Sequence, residues 1–436
     1  MPVKLLATAD LHLGRETAGL SSSGNKRFPT ASTWLTMVEY AVHHRVDALL
    51  LAGDIVDHDN KYFEAVSVLE RGLKQLAEAK IHVFMTAGNH DFDVLPSIMK
   101  TLNNEYVHLL GEGGTWGHKT IALNQQPITF HGWSFPKQHH RNDPVADFYT
   151  NQIVAENLNI GLVHGDYNVP KSVYAPLNPS GLNIPGMDLW LLGHIHKQEV
   201  FRKERPLIFY PGSPHALSPK EPGKHGAWLI SIEDDRSIST SLIPLSPIRF
   251  DTLTIDISHL TETDSIRDFV FTTLEQCANT LLEEVAPPEM LVYDIQLTGS
   301  FPHLQALESL LDSWMISDFE RTISGVHIRV RRVTHRCSIR VSNLNELAKE
   351  PSPAGMLAKA IVDIENGTSS ELLDALRAEL ADRLKNMSNH ASFRMLNDGE
   401  DSDIPELNED YLNQLLRNEC HRMLSELMSR KMEVTS

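Results

Sequence analysis

Five apolar runs in the first half of the chain each end in residue types that bind metal ions. The runs are KLLATAD, VDALLLAGD, IHVFMTAGNHD, NIGLVHGD and DLWLLGHIH. Each has the length and composition of a buried strand that stops at a polar cluster. Because ligand sites in α/β proteins form at strand ends, this repeated pattern constrains the fold more than any other feature of the sequence.

The clusters at the strand ends offer carboxylate, imidazole and amide ligand atoms. One such cluster is weak evidence, since a lone histidine beside a strand is usually an ordinary polar residue. Five clusters together indicate a shared site. The donor mixture suits divalent ions such as Mn²⁺, Fe²⁺ or Zn²⁺. None of the five clusters contains a cysteine, which argues against a structural zinc site. The candidate ligands are Asp10, His12, Asp54, Asn89, His164, His194 and His196.

The order of elements predicts an α/β fold with two sheets. Residues 31–46 and 62–79 carry apolar residues at helical spacing between the first three strands, so these strands should be parallel, with helices on their faces. From about residue 118 the pattern changes to consecutive strands, and we expect a second sheet laid on the first. Its predicted strands are KTIALN, PITFHGWSF, NIGLVHGD, DLWLLGHIH, PLIFYPGS and GAWLISIED.

Composition shifts divide the chain into three predicted domains, at 1–248, 249–345 and 346–436. The middle domain alternates strands with one long helix, which indicates a small α+β domain. The last contains a helix that stops at Gly367 and a second that starts at Thr368, with Glu371 at capping-box spacing. The acidic stretch 397–410 is a predicted flexible link before a final striped helix.

Composition also bears on the partners and the cellular compartment that we expect for the protein. The formal net charge of −18 does not favour a protein that grips nucleic acid unaided. The 3 cysteines form no CxxC pair, which favours a reducing cytoplasm. No apolar run approaches the roughly 20 residues of a membrane span, and the N-terminal run looks like a strand rather than a signal peptide.

The motif series D-x-H, G-D-x-x-D, G-N-H-D, H-G-D and G-H-x-H resembles the calcineurin-like metallophosphoesterase superfamily. The following segment, YPGSPHALSPKEPGKHGAWLISI, resembles the DNA repair exonuclease branch that includes the bacterial SbcD subunits. The resemblance implies a two-sheet αββα sandwich, followed by a small α+β capping domain and C-terminal helices.

The resemblance also implies two divalent metal ions, with Mn²⁺ expected first and Fe²⁺, Zn²⁺ or Mg²⁺ as alternatives. One ion would be held by Asp10, His12, Asp54 and His196. Asn89, His164 and His194 would hold the other, and Asp54 would bridge the two. A bridging anion is a physical requirement, because two dications about 3.5–4 Å apart repel strongly.

Two further residues match catalytic positions of the family. His90 would assist the leaving oxygen, as a proton donor or by stabilising charge. Asp57 resembles the aspartate that pairs with this histidine in related phosphatases, although some nucleases carry histidine there; a turn-capping role is the alternative, and His58 is a substitute candidate.

Asp91 and Asp166 either orient imidazoles or close turns, and the sequence leaves the choice open. His139 and His140 lie in a predicted surface loop to which we assign no role.

Evidence for DNA comes from the segment RVRRVTHRCSIR in the middle domain. Its arginines would contact phosphates, or else belong to a solvated strand face. Residues 346–436 hold 18 acidic and 10 basic residues, so that region should avoid DNA. The candidate phosphate-binding residues are Arg329, Arg331, Arg332, Arg336 and Arg340.

The striped C-terminal helices are either docking surfaces or ordinary core. In the resembled branch such helices bind an SMC-like coiled-coil ATPase of the SbcC type, which would supply ATP hydrolysis, since the sequence has no GxxxxGK[ST] motif. Whether two copies form a homodimer stays open. The leading hypothesis is a metal-dependent DNA exonuclease or endonuclease subunit for repair or recombination. The alternatives are a phosphatase or cyclic-nucleotide phosphodiesterase, and a non-catalytic scaffold on the same fold.

Overall fold

A computed structural model describes residues 2–435 of the chain, except 21–26, 61–62, 149, 282–286, 315–318, 340–343 and 389–407. The predicted flexible link falls largely on this last gap, so most of it lies outside the described residues. The chain divides into two compact units. The first contains Met1–Thr252, Gln276–Tyr293 and Glu320–Arg329, and the second contains Leu253–Glu275, Asp294–Phe319 and Val330–Ser436. The predicted boundaries at 248 and 345 stay a prediction.

The first sheet has six strands, which are β1 (Val3–Thr8), β2 (Ala48–Ala52), β3 (His82–Thr86), β4 (Val107–Leu109), β11 (Gly226–Ile232) and β12 (Ile238–Pro244). Their order is β12-β11-β1-β2-β3-β4. β1 to β4 run parallel, as the alternation of strands and helices predicts, whereas β11 pairs with β1 antiparallel.

The second sheet also has six strands, which are β5 (Trp116–Leu123), β6 (Gln126–Trp133), β7 (Leu158–His164), β8 (Leu189–Gly193), β9 (Glu199–Arg202) and β10 (Leu207–Tyr210). Their order is β5-β6-β7-β8-β10-β9. β7 and β8 are parallel neighbours, so their carboxyl ends lie side by side.

Apolar side chains hold these layers together. The helices α1 (Thr30–His44), α2 (Phe63–Glu78) and α3 (Leu95–Leu102) pack on one face of the first sheet. The inward-facing residues of both sheets form a second cluster, in which Phe84 stacks on Phe130 with ring centroids 3.8 Å apart. In the described residues, loops and short 3₁₀ helices cover the other face of the second sheet. The two-sheet sandwich is therefore confirmed.

The remaining elements are strands and helices of the later chain. β13 (Ile248–Asp256), β14 (Met290–Thr298), β16 (Arg321–Ile323) and β17 (Val326–His335) form a sheet of order β13-β14-β17-β16, and β15 (Ser300–Phe301) pairs with β18 (Ser338–Ile339). The helices are α4 (Asp264–Thr280), α5 (Leu304–Ser313), α6 (Leu344–Leu347), α7 (Pro353–Glu365), α8 (Glu371–Ser388) and α9 (Glu409–Thr435).

Two local predictions need correction. GAWLISIED forms β11, but it joins the first sheet rather than the second, because the free edge of β1 offers it an antiparallel partner. Helix α8 begins at Glu371, and the hydroxyl of Ser370, not that of Thr368, accepts the hydrogen bond from the amide of Leu373 at 3.3 Å.

None of the described helices combines the length and the apolar composition that a membrane crossing requires.

The contact between α1 and α2 allows a stability test at Gly72. The Trp34 indole is fully buried, its N–H donates to the Val68 carbonyl at 3.1 Å, and a methyl group on Gly72 would overlap it. Gly72→Ala should therefore destabilise the protein by ~1–3 kcal/mol, although alanine is the better helix former by about 1 kcal/mol. Urea unfolding measures the change, and the exposed neighbour Arg71→Ala is the control. A Gly72→Ala variant more stable than the wild type would contradict this packing.

Candidate metal centre

The seven predicted ligands lie at the carboxyl ends of five strands. Asp10 and Asp54 each stand two residues after β1 and β2, and Asn89 follows β3. His164 is the last residue of β7, and His194 comes directly after β8. Parallel neighbours end at one edge, so these side chains converge. Polar atoms of Asp10, His12 and His196 form one potential metal-binding group, and those of Asp54, His164 and His194 form another.

The central group of the cluster is the carboxylate of Asp54, which is almost completely buried. Its Oδ2 lies 3.3 Å from His164 Nε2 and 3.9 Å from His12 Nε2, and its Oδ1 accepts from the amide of His90 at 2.8 Å. Burial alone would raise the pKa of Asp54, but the charge of His164 and its hydrogen bond hold it well below the usual range. Asp54 is therefore an anion between the two groups.

Three imidazoles have one ring nitrogen committed to an oxygen that can only accept. His12 Nδ1 donates to Asp57 Oδ1 at 3.2 Å, His164 Nδ1 donates to the Ala52 carbonyl at 3.0 Å, and His196 Nδ1 lies 2.9 Å from a glutamate oxygen. In the neutral ring this leaves a lone pair on each Nε2.

These Nε2 atoms face other acceptors rather than donors. The Nε2 atoms of His12 and His196 are 3.1 Å apart, and His164 Nε2 lies 3.1 Å from Asn89 Oδ1. Such contacts between lone pairs are stable only with a proton or a metal cation between them. The donor set of imidazole, carboxylate and amide oxygen fits a pair of divalent cations.

Without a cation, protons serve this purpose. Burial would lower the pKa of His164, but the charges of Asp54 and Asp10 outweigh it and raise the pKa to about 9. A metal ion must displace that proton to reach Nε2.

His90 lies at the open side of the cluster. Its side chain is 32% exposed, and Nε2 is 4.0 Å from Asp54 Oδ2, so a substrate could reach the ring. Nδ1 lies 3.5 Å from Asp57 Oδ1 and 3.3 Å from the amide nitrogen of His58. Burial lowers the pKa of His90, but the hydrogen bond to Asp57 and nearby carboxylates raise it above its usual value.

Asp57 contacts two histidines rather than one. The same Oδ1 is 3.2 Å from His12 Nδ1 and 3.5 Å from His90 Nδ1. Its predicted pairing with His90 is thus shared with a predicted ligand. His58 reaches His90 through its backbone, and the two ring centroids are 6.4 Å apart.

The two aspartates with open roles have different contacts. Asp91 accepts from the backbone amides of Ile55, Val56 and Gly88 at 2.6, 3.2 and 2.7 Å, which ties the loops after β2 and β3 together. Asp166 Oδ1 is instead 3.4 Å from His194 Nε2.

The predicted surface loop lies beside the same edge of the second sheet. The amide of His140 donates to the Val173 carbonyl at 2.8 Å, and the exposed ring of His139 lies 5.4 Å from the ring of Tyr174.

Three of the five candidate DNA-binding arginines are paired with carboxylates. Arg329 is buried with its Nε 3.0 Å from Glu320, and Arg331 and Arg332 both bind the carboxylate of Asp294. Arg336 is exposed, and Arg340 lies outside the described residues. Their role in binding phosphate stays a prediction.

Glu221 was not anticipated from the sequence. Its Oε1 accepts from His196 Nδ1, although it stands 25 residues further along the chain. No local spacing reveals the pair, because the chain returns to the site through β9 and β10.

Comparison with known proteins agrees with this geometry. A family model described as calcineurin-like phosphoesterase matches residues 3–198. The uncharacterized metallophosphoesterase YhaO of Bacillus subtilis (strain 168) is 26% identical over 299 residues, which are 65% of this chain and 72% of that protein.

Two further relatives carry names that refer to nucleic acid. The D subunit of the nuclease SbcCD from Escherichia coli (strain K12) is 26% identical over 264 residues, which cover 51% of this chain and 63% of that protein. The DNA double-strand break repair protein Mre11 of Methanopyrus kandleri is 25% identical over 239 residues, covering 50% of this chain and 49% of that protein. The chain thus spans less than two thirds of these two relatives.

Metal addition should stabilise the protein, and more strongly at higher pH. Mn²⁺ at about 100 times its dissociation constant contributes ~2.7 kcal/mol of stability. The pKa of His164 is raised to about 9, so the ion that binds this histidine must displace a proton at lower pH. Below about pH 9 its affinity should therefore rise about tenfold for each unit by which the pH increases. Thermal unfolding with Mn²⁺ or EDTA between about pH 6 and about pH 8 measures both effects. A melting temperature that Mn²⁺ leaves unchanged at every pH would contradict the metal centre.

Proposed function

We propose that this chain, whose residues 3–198 match the calcineurin-like phosphoesterase family, is a two-metal phosphodiesterase that cleaves DNA. The observation that carries the proposal is the set of imidazole Nε2 atoms that face each other and Asn89 around the anionic Asp54. This arrangement is costly without cations and suited to a pair of them.

The proposed ligands form two sets that share one carboxylate. Asp10, His12 and His196 would hold one ion, and Asn89, His164 and His194 the other, with Asp54 between them. Manganese is the proposed metal, because imidazole and oxygen donors without thiolate suit a borderline divalent cation. When bound, the ions supply an acidified water and positive charge at the phosphate.

The protein residues would orient the substrate and handle its proton. His90 stands at the open side, with its Nε2 directed toward the cluster and its Nδ1 beside Asp57. The raised pKa of His90 favours its protonated form near neutral pH. We infer that Nε2–H donates to the leaving oxygen, while Asp57 orients the ring.

Support for DNA as the substrate comes from the relatives and not from the arginines. A nuclease subunit and a DNA double-strand break repair protein are among the proteins that the chain matches. Three of the candidate arginines are paired with Glu320 or Asp294. The phosphate would therefore be bound mainly at the metal centre.

We further propose that the C-terminal helices bind a coiled-coil ATPase. Part of the apolar stripe of α9 packs internally, since Cys420 and Leu424 are buried against Ile361 of α7. The rest borders an apolar groove of about 530 Å³, where Met356, Met423 and Leu427 are 58%, 43% and 36% exposed. Large exposed apolar side chains around one groove are typical of a protein interface. An amphipathic helix of the partner would bury them.

The catalytic role of His90 is tested by His90→Asn. This variant should bind Mn²⁺ like the wild type but cleave end-labelled duplex and single-stranded DNA about 10²–10⁴-fold more slowly, since the proton donor is lost. The exposed His118→Asn on β5 is the matched control, and Asp54→Ala is the metal-free reference. Unchanged cleavage by His90→Asn would remove it from the mechanism. Cleavage of small chromogenic phosphoesters but of no DNA would favour a phosphatase.

The docking groove is tested by adding charge at its rim. Met423→Glu should weaken co-purification with the coiled-coil ATPase at least about tenfold, because a buried carboxylate would have no partner. DNA cleavage by the isolated chain should be unchanged. Asn418→Glu, exposed on the same helix outside the groove lining, is the control. Equal binding by both variants would place the ATPase elsewhere.

A further inference from the structure

Glu221 lies outside the matched family region and yet contacts a predicted metal ligand. Its Oε1 accepts from His196 Nδ1 at 2.9 Å, and its Oε2 accepts from the amide of Leu217 at 2.9 Å. The side chain is only 19% exposed. Both oxygens are thus engaged, and the carboxylate has one orientation relative to the imidazole ring.

This contact determines which nitrogen of His196 faces the cluster. With the proton on Nδ1, the lone pair is on Nε2, which points at His12 Nε2 3.1 Å away. His12 has the same arrangement, because Asp57 holds its Nδ1. Each of the two facing rings therefore has a carboxylate behind it, one from the loop after β2 and the other from Glu221.

The segment that carries Glu221 is braced on both sides of the glutamate. The amide of Ser213 donates to the His196 carbonyl at 2.9 Å, and the His225 ring contacts the carbonyls of Ser213 and Glu221 at 2.7 and 3.1 Å. The segment is thus attached to the backbone of the residue that its glutamate contacts.

The buried ring of His215 fastens the same segment to the start of the chain. Its two nitrogens lie 2.8 and 2.7 Å from the hydroxyls of Thr17 and Thr33. Two hydrogen bonds thus hold the carboxylate itself, and five more attach the segment that carries it.

We propose that Glu221 is a positioning residue that fixes the tautomer and orientation of His196 for one of the two metal ions. The inference rests on the proposed metal centre. A carboxylate behind a ligating histidine makes the ring a stronger ligand, and its removal typically costs 10–100-fold in metal affinity. The effect should fall on the ion held by Asp10, His12 and His196, and spare the one at Asn89, His164 and His194.

The test is a titration of the full chain with Mn²⁺, in which electron paramagnetic resonance measures the concentration of free Mn²⁺. Glu221→Ala should weaken one of two binding steps by about 10–100-fold and leave the other within about twofold. Glu221→Gln retains an acceptor for one of the two donors, so its loss should be smaller. Glu199→Gln, an exposed glutamate on β9, is the control and should match the wild type.

Thermal unfolding separates positioning from a merely structural role. If Glu221 positions His196, Mn²⁺ should raise the melting temperature of Glu221→Ala much less than that of the wild type, with each variant compared with its own value in EDTA. Equal destabilisation in Mn²⁺ and in EDTA, with both binding steps intact, would overturn the inference while the metal centre stands. A wild-type chain that binds no Mn²⁺ would overturn the proposed metal centre itself and, with it, this role of Glu221.

Discussion

The structure of the site depends on keeping the charge of Asp54 in a buried position. An isolated carboxylate there would be costly, because water is excluded and few donors replace it. Three imidazoles, those of His12, His90 and His164, approach it within 4.0 Å, and each comes from the end of a different strand. The convergence of the two sheets therefore also has an electrostatic effect, since the second sheet supplies His164, the nearest of the three imidazoles to this anion.

Holding these side chains together requires unusual backbone. Asp10, His12, Asp54 and His194 have φ values of 55°, 48°, 50° and 106°, a region that residues with a side chain rarely adopt. Each such position costs of order 1–3 kcal/mol and persists only where the surroundings enforce it. Asp91 is one such constraint, because its carboxylate binds three amides of the loops after β2 and β3. Burial, together with the charge of Asp54, raises the pKa of Asp91 to about 7.

The convergence of the seven candidate ligands was predictable because each of them ends or follows a strand that the local sequence reveals. An apolar run followed by a polar residue marks a strand end, and the parallel connection of β1, β2 and β3 brings such ends to one edge. The sheet that contains β11 was not predictable, since alternating apolar and polar residues identify a strand but not which of two sheets it joins. Glu221 and the pairs of Arg331 and Arg332 with Asp294 were also hidden, because each joins residues brought together only by the fold.

The antiparallel pairing of β1 with β11 has a consequence for folding during synthesis. Val3 leaves the ribosome well before its partner Ile232, which follows more than two hundred residues later. Until then the edge of β1 that pairs with β11 has free amides and carbonyls, which can pair with other chains. Such distant contacts also slow folding. A nascent chain that stopped at the end of the matched family region would leave this edge exposed. The segment that brings Glu221 to the candidate metal centre therefore belongs to the stretch that covers β1 and completes the first sheet.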